Sequence, residues 1–261
     1  MTLSPSRRDF LKTSGWLVIG VSSLSLDGTP LSVVTDAAAQ ALGPGPYPDP
    51  DFRQLDSWIV IRADNTATFY VGKTDLGQGT GTAFRQIMAD ELDMPYDKTS
   101  CVMGHTDVTV DQGGSGGSDA LQVDGWPMRR VAAEGRRVLL GLAATHFGVP
   151  VDRLTVTAGV VSVAGEPSRT VTYGELIGGR KFNVTLSGAN TDATTGQARL
   201  KTVQELKLVG QSPRRYDIPP KVDGTAKWAV DVKLPGMLHA CSRTASPTTG
   251  TARLPASASS P

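Results

Sequence analysis

Apolar and polar positions change period several times along the chain, and each change predicts an element. From Trp58 the text WIVIRADNTATFYVG carries two runs of β-type residues on either side of Ala63-Asp64-Asn65, which predicts a hairpin ending near Val71. The period then lengthens. Ala83, Ile87, Met88 and Leu92 recur about one turn apart and predict a helix over residues 81–92, stopped by Pro95. Residues 99–104 read as a short strand. A stripe of Val131, Val138, Leu139, Leu142 and Phe147, with arginines on the other face, predicts a long helix over 119–147, ended by Gly148-Val149-Pro150. β-type runs return at 154–157 and 160–163 around Ala158-Gly159, which predicts a second hairpin, and 172–177 reads as a short helix. Residues 183–200 are polar and irregular, 202–208 and 226–232 read as strands, and 234–240 as the start of another. The pattern as a whole is that of an α+β fold, mixed sheets with packed helices.

Two glycine clusters interrupt this pattern where chemistry is expected. Gly77, Gln78, Gly79, Thr80, Gly81 and Thr82 lie between the first hairpin and the first helix. The first N–H groups of a helix have no internal partner, and the helix dipole favours negative charge there, so a strand–glycine–helix turn can aim donors at an anion. Gln78 adds an amide that both donates and accepts, which suits a polar heterocycle. Alone, the turn reads equally well as a tight connection without a ligand. The second cluster, residues 113–118 (GGSGGS), precedes the second helix. It reads either as a flexible loop or as the partner of the first, the two together directing N–H groups and hydroxyls at one ligand with several phosphates.

Composition narrows the choice. With 39% hydrophobic and 20% charged residues the chain can bury a core, and a net charge of +1 leaves no footprint for nucleic acid or an acidic membrane. The two cysteines, Cys101 and Cys241, are too few for an iron–sulfur cluster, and His105, His146 and His239 lack metal-site spacing, so no metal ligand is expected from side chains. At the N-terminus, Ser6-Arg7-Arg8-Asp9-Phe10-Leu11-Lys12 matches the twin-arginine export pattern. A moderately apolar run follows, then Ala37-Ala38-Ala39-Gln40-Ala41 with A-x-A cleavage options. Residues 1–41 are therefore expected to be a signal peptide directing export to the periplasm, a route used by proteins that fold around a cofactor first. Residues 42–56, rich in Pro and Gly at the start, read as a linker.

Taken together, three blocks make the chain resemble the molybdenum-binding large subunit of the xanthine dehydrogenase/aldehyde oxidase family, in the branch of the isoquinoline 1-oxidoreductase β chains. The first is Asp75-Leu76-Gly77-Gln78-Gly79 with Thr82, Gln86 and Ala89-Asp90-Glu91-Leu92, similar to E-M-G-Q-G…T…Q…A-E-E-L. The second is Gly104-His105-Thr106-Asp107 with the 113–118 loop. The third runs from Arg215-Tyr216-Asp217 through Lys221-Val222-Asp223-Gly224 to Pro235-Gly236-Met237-Leu238, similar to the opening of the family's a/b hammerhead domain. Asp75-Leu76 in place of Glu-Met and His105 in place of Asp are departures.

The resemblance implies a molybdopterin-binding domain portion over 57–205 and the start of a hammerhead domain over 206–240. It implies hydroxylation of an aldehyde or N-heterocycle with water as oxygen source. The cofactor would be molybdopterin cytosine dinucleotide, its metal held by the pterin dithiolene. Gly77, Gln78, Gly79 and Thr82 would bind it from the first turn, and Gly114, Ser115, Gly117 and Ser118 from the second. Electrons would leave through [2Fe–2S] clusters in an iron–sulfur small subunit, with a c-type cytochrome as acceptor, at the cytoplasmic membrane through such partners. The family's general base is a glutamate near the C-terminus, so no catalytic residue is expected in this chain. Residues 241–261, rich in Ser, Ala, Thr and Pro without periodicity, read as an atypical and out-of-frame tail on a truncated chain inactive by itself. The competing reading is an exported nucleotide- or solute-binding module without redox activity.

Overall fold

The computed structural model describes residues 50–238. The signal peptide, most of the expected linker and the 241–261 tail lie outside the described residues. Packing begins at Leu55, inside the expected linker. Its side chain is fully buried, and the neighbouring Asp56 carboxylate accepts from the Phe182 and Asn183 N–H groups at 2.6 and 2.9 Å.

The first sheet has the order β1-β2-β3: β1 (Ile59–Ile61), β2 (Ala67–Val71) and β3 (Thr99–Met103). β1 and β2 form the predicted antiparallel hairpin, with Ile59 opposite Phe69 and Ile61 opposite Ala67. β3 lies parallel to β2, Ala67 opposite Thr99 and Val71 opposite Met103, so α1 (Thr80–Glu91) is the crossover between them. Ile59, Ile61, Phe69 and Val71 turn one sheet face inward against Phe84, Met88 and Leu92 of and just after α1, all buried to 1% exposure or less. Burying a side chain of this size contributes roughly 1.5–3 kcal/mol, which is what fixes α1 across the sheet.

α2 (Gly125–Phe147) packs along α1 and brings Met128, Val131 and Leu139 into the same core. Buried Ala132, Ala133, Gly135 and Ala143 keep it close: a Cβ on Gly135 would already touch Ile59 and Leu92 at 3.4 and 3.5 Å. The helix begins at Gly125 and not at 119 as its stripe suggests. Pro127 is the reason, because it lacks an N–H and clashes one turn back, and it is harmless only in a first turn. Leu142, read as part of the stripe, is 39% exposed.

A second antiparallel sheet contains β4 (Leu154–Thr157), β5 (Val160–Val163) and β6 (Glu166–Thr172). The β4–β5 hairpin is as predicted. β6 is not, because its sequence EPSRTVT places only Val171 in the core. α3 (Tyr173–Ile177) follows, started by Thr172 and Glu175, each capping the other's backbone N–H. One buried residue ties the two sheets together. Asn65, at φ 60° in the β1–β2 turn, donates to Gly159 O at 3.2 Å and accepts from Gly174 N at 3.1 Å. A left-handed conformation suits Asn, and its amide satisfies both turns at once.

Two expected strands are absent from the described residues, and of the third, 234–240, the described part 234–238 forms a turn closed by Met237 N to Leu234 O at 3.1 Å. Residues 202–208 hold only a 3-10 turn, Val203–Glu205, with Thr202 and Glu205 capping each other. The N–H groups of Lys207, Leu208 and Val209, which a strand would pair, go instead to the Asp90 carboxylate. Residues 226–232 form another 3-10 turn, Ala229–Asp231, after α4 (Ile218–Asp223), and no residue of 218–238 is buried. Alternation needs a neighbouring strand and a core to become a strand, and neither is present there.

Candidate functional site

The exit of β2, which leads into the first glycine cluster, meets the second, and there Gly72 runs hard against the chain of the second loop's approach. A Cβ there would collide with Val110 O and come within 2.9 Å of Gln112 N. Gly72 N donates to Gln112 Oε1 at 2.7 Å, and Gln112 Nε2 donates to Asp124 Oδ1 at 3.2 Å. Beside this pair Lys73 is buried. Its Nζ donates to Gly114 O at 2.9 Å and lies 3.1 Å from Asp124 Oδ2, an ion pair without hydrogen-bond alignment. One residue on, Thr74 N donates to Ser115 Oγ at 2.7 Å. Three consecutive residues between β2 and the first glycine turn thus hold the second loop and the residue before it.

The first turn is not the open anion cradle that its sequence suggests. Asp75 reaches back into it. Its Oδ1 accepts from Gly77 N at 2.9 Å and Gly79 N at 3.1 Å, and its Oδ2 from Gly81 N at 3.0 Å. The carboxylate therefore sits where an external anion would, at the N-terminus of α1. Burial pushes its pKa up, but the N–H groups of Gly81, Gly79 and Gly77 hold the net value below the ordinary carboxylate range. Gln78 is also folded back: its Oε1 accepts from Leu76 N at 2.7 Å, and its Nε2 faces Thr74 O and Thr80 Oγ1 at 3.4 and 3.3 Å. Gly79, at φ 87°, is the left-handed residue that lets the chain enter α1.

Because the folded pKa is depressed, Asp75 contributes stability that is fully present above its unfolded value near 3.8 and is lost as the pH falls through the folded value. The amide resonances of Gly77, Gly79 and Gly81 are expected to titrate together with a midpoint below 3.8. A midpoint at or above that value would mean that these amides do not hold the carboxylate.

The polar atoms left over lie deeper in the turn and in the second loop. Thr82 Oγ1 is buried with no hydrogen-bond partner, and so is Asp119 Oδ1, just past the second loop. A Cβ on Gly113, Gly114, Gly116 or Gly117 would meet nothing within 4 Å, so this loop is open to a ligand. Ser115 is half-buried against Thr74, while Gly117 and Ser118 are exposed and make no hydrogen bond to the first turn. Of the residues expected from sequence, Gly114 and Ser115 bond to Lys73 and Thr74 at the exit of β2, Gly77, Gln78 and Gly79 are hydrogen-bonded within their own turn, Thr82 is buried in the first turn of α1, and Gly117 and Ser118 are exposed. Open glycines, unspent hydroxyls and an orphaned buried threonine suit a ligand rich in acceptors, and in that respect the residues fit a phosphate-bearing pterin.

Sequence reasoning missed Lys73, Gln112 and Asp124, and named Asp75 as part of a motif without its role in filling the turn. A lysine closing an apolar strand, and an aspartate two residues before a glycine, were the available signals. It also missed that Arg215 and Tyr216 return to this turn, which no local pattern encodes. Among the described residues no group of three or more His, Cys, Asp or Glu could hold a metal. Cys101 is half-buried on β3, and desolvation pushes its thiol up to about 12, a structural thiol and not a reactive one.

Comparison with known proteins adds the family. The model of the molybdopterin cofactor-binding domain matches residues 34–210, both glycine loops included. A nicotinate dehydrogenase chain of Pseudomonas putida is 33% identical over 214 residues, covering 81% of this chain and 17% of that protein. The β chain of isoquinoline 1-oxidoreductase from Brevundimonas diminuta is 30% identical over 214 residues, covering 70% of this chain and 27% of that protein. Among solved structures, CO dehydrogenase from Oligotropha carboxidovorans overlaps 46% of this chain and 15% of its own, at 27% identity and a TM-score of 0.42. The chain spans only 17% and 27% of the two curated relatives. With the family model matched over most of its length and across both loops, the chain belongs to the molybdopterin cofactor-binding domain family of the molybdenum hydroxylases.

Proposed function

We propose that this chain forms one wall of the cofactor site in an exported molybdenum hydroxylase that oxidises an N-heterocycle or an aldehyde with water as oxygen source. The observation that carries the reading is the tie between the exit of β2, which leads into the first glycine turn, and the second glycine loop, Lys73 Nζ to Gly114 O and Thr74 N to Ser115 Oγ, within the residues matched by the family model. The names of the nicotinate and isoquinoline relatives favour the N-heterocycle. The cofactor in this reading is molybdopterin cytosine dinucleotide, which when bound supplies the redox chemistry.

The chain's own residues bind and orient. Thr82 and Ser115 offer hydroxyls, and the 114–118 backbone offers unspent N–H groups. Gln78 Nε2, held only by contacts of 3.4 and 3.3 Å to Thr74 O and Thr80 Oγ1, offers an amide donor. The substrate pocket and general base come from outside the described residues. Electrons pass to an iron–sulfur partner with [2Fe–2S] clusters and on to a c-type cytochrome. The Arg7-Arg8 motif supports twin-arginine export to the periplasm, and Arg215 to Leu238 supports the start of a hammerhead domain. Chain isolated from the periplasm of a cofactor-producing host, with its co-purifying partners, is expected to release a pterin on oxidation and to contain molybdenum. Material free of both would overturn the reading.

A further inference from the structure

After Leu206 the chain runs back along α1, from its C-terminal end at Asp90 past Gln86, and reaches the glycine turn. Three anchors carry it there. The Asp90 carboxylate accepts from Lys207, Leu208 and Val209 N–H groups at 3.0, 2.9 and 2.8 Å. Gln86 Nε2 donates to Leu208 O and, at 3.1 Å, to Gln211 O. Arg215 Nη2 then donates to Gly77 O at 3.0 Å. The guanidinium is held flat by Asp217, which accepts from its Nε at 3.0 Å and its Nη2 at 2.6 Å and takes Lys221 Nζ on the other side at 2.5 Å. Asp217 is accordingly held well below the usual carboxylate range, chiefly by the Arg215 hydrogen bonds.

The contact is close. A Cβ on Gly79 would lie 2.9 Å from the Arg215 guanidinium, and one on Gly81 would strike the Tyr216 hydroxyl and come within 2.7 Å of Met103 Sδ. Gly79 and Gly81 thus lack side chains partly because Arg215 and Tyr216 fill that space.

We propose that Arg215 is a positioning residue for the glycine turn, acting with Asp217 as a clasp. Asp75 fixes the turn's N–H groups from within, and Arg215 fixes the Gly77 carbonyl from outside. Two bonds of opposite polarity on neighbouring peptide groups leave the turn one conformation. The clasp also closes the Gly79 side, whereas a Cβ on Gly77 would meet nothing within 4 Å. Ligand therefore approaches from Gly77 and the second loop. This consequence for the cofactor rests on the function proposed above; the clasp does not.

The test is amide hydrogen exchange, residue by residue, on the chain without cofactor, so its outcome is independent of whether a pterin binds. Arg215→Ala is expected to speed exchange at Gly77, Gly79 and Gly81 on the order of tenfold, the effect of losing about one hydrogen bond, with Met88 and Leu139 unchanged. Asp217→Ala should match it, and the double variant should be no worse than either single one, because the two residues act as a unit. Arg215→Lys, which keeps the charge but not the fork, should fall between. Unchanged turn exchange in Arg215→Ala, additive effects in the double variant, or an equal rise at Met88 and Leu139 would each overturn the proposal.

Discussion

Lys73→Met is expected to lower folding stability by about 3–5 kcal/mol, the loss typical of removing one partner from a buried ion pair. Lys73 and Asp124 are 5% and 1% exposed at the side chain, 3.1 Å apart, and no other cation pairs with Asp124 among the described residues. Without the ammonium, Asp124 keeps only Gln112 Nε2. Its pKa is already raised, by burial first, with Lys73 opposing. A raised carboxyl pKa favours the protonated folded form, so the deficit of the variant is greatest at neutral pH and shrinks as the pH falls through that value. Urea unfolding at neutral and mildly acidic pH measures both effects. A deficit that grows on acidification would mean that the ammonium does not serve Asp124. Replacing both members by apolar residues should recover much of the loss, since the pair is costly to desolvate.

Asp90→Ala should have the next largest effect. Asp90 is 2% exposed on α1, and its carboxylate is the acceptor for three successive N–H groups, with Lys201 Nζ 3.9 Å away. Hydrogen bonds to a charged group contribute roughly 1.5–3 kcal/mol each and do not add, which sets the expected loss at about 3 kcal/mol or more. The segment that this carboxylate anchors is the one that carries Arg215. Protease cleavage between 205 and 215 should therefore accelerate well beyond what the global loss explains. Asp90→Asn, which retains an acceptor, should lie between. Cleavage that merely tracks global unfolding would show that Asp90 supports α1 alone.

Much of the fold is legible from periodicity because β2, α1 and the β4–β5 hairpin each bury a regular stripe. Where apolar spacing is not the cause of structure, it misleads. The 119–147 stripe cannot reveal that Pro127 delays the helix to Gly125, and β6 hides behind one buried residue. The 202–208 run alternates like a strand, yet its N–H groups go to a carboxylate more than a hundred residues upstream. The site divides in the same way. The two glycine loops are visible as text, and their pairing follows from their position. That Asp75 fills the first loop's N–H groups is not visible, because the same three residues, Asp-Leu-Gly, open many turns without reaching back.

If the two loops form a single binding wall entered from the second, titration with cytidine diphosphate, the phosphate-bearing end of the proposed cofactor, registers there in the backbone and threonine resonances of the chain. Shifts concentrated at Thr82 and residues 113–118, weakened in Ser115→Ala and not reproduced by inorganic phosphate, are the predicted result. Shifts confined to Gly77–Gly81, scattered over the surface, or absent at saturating nucleotide would contradict it.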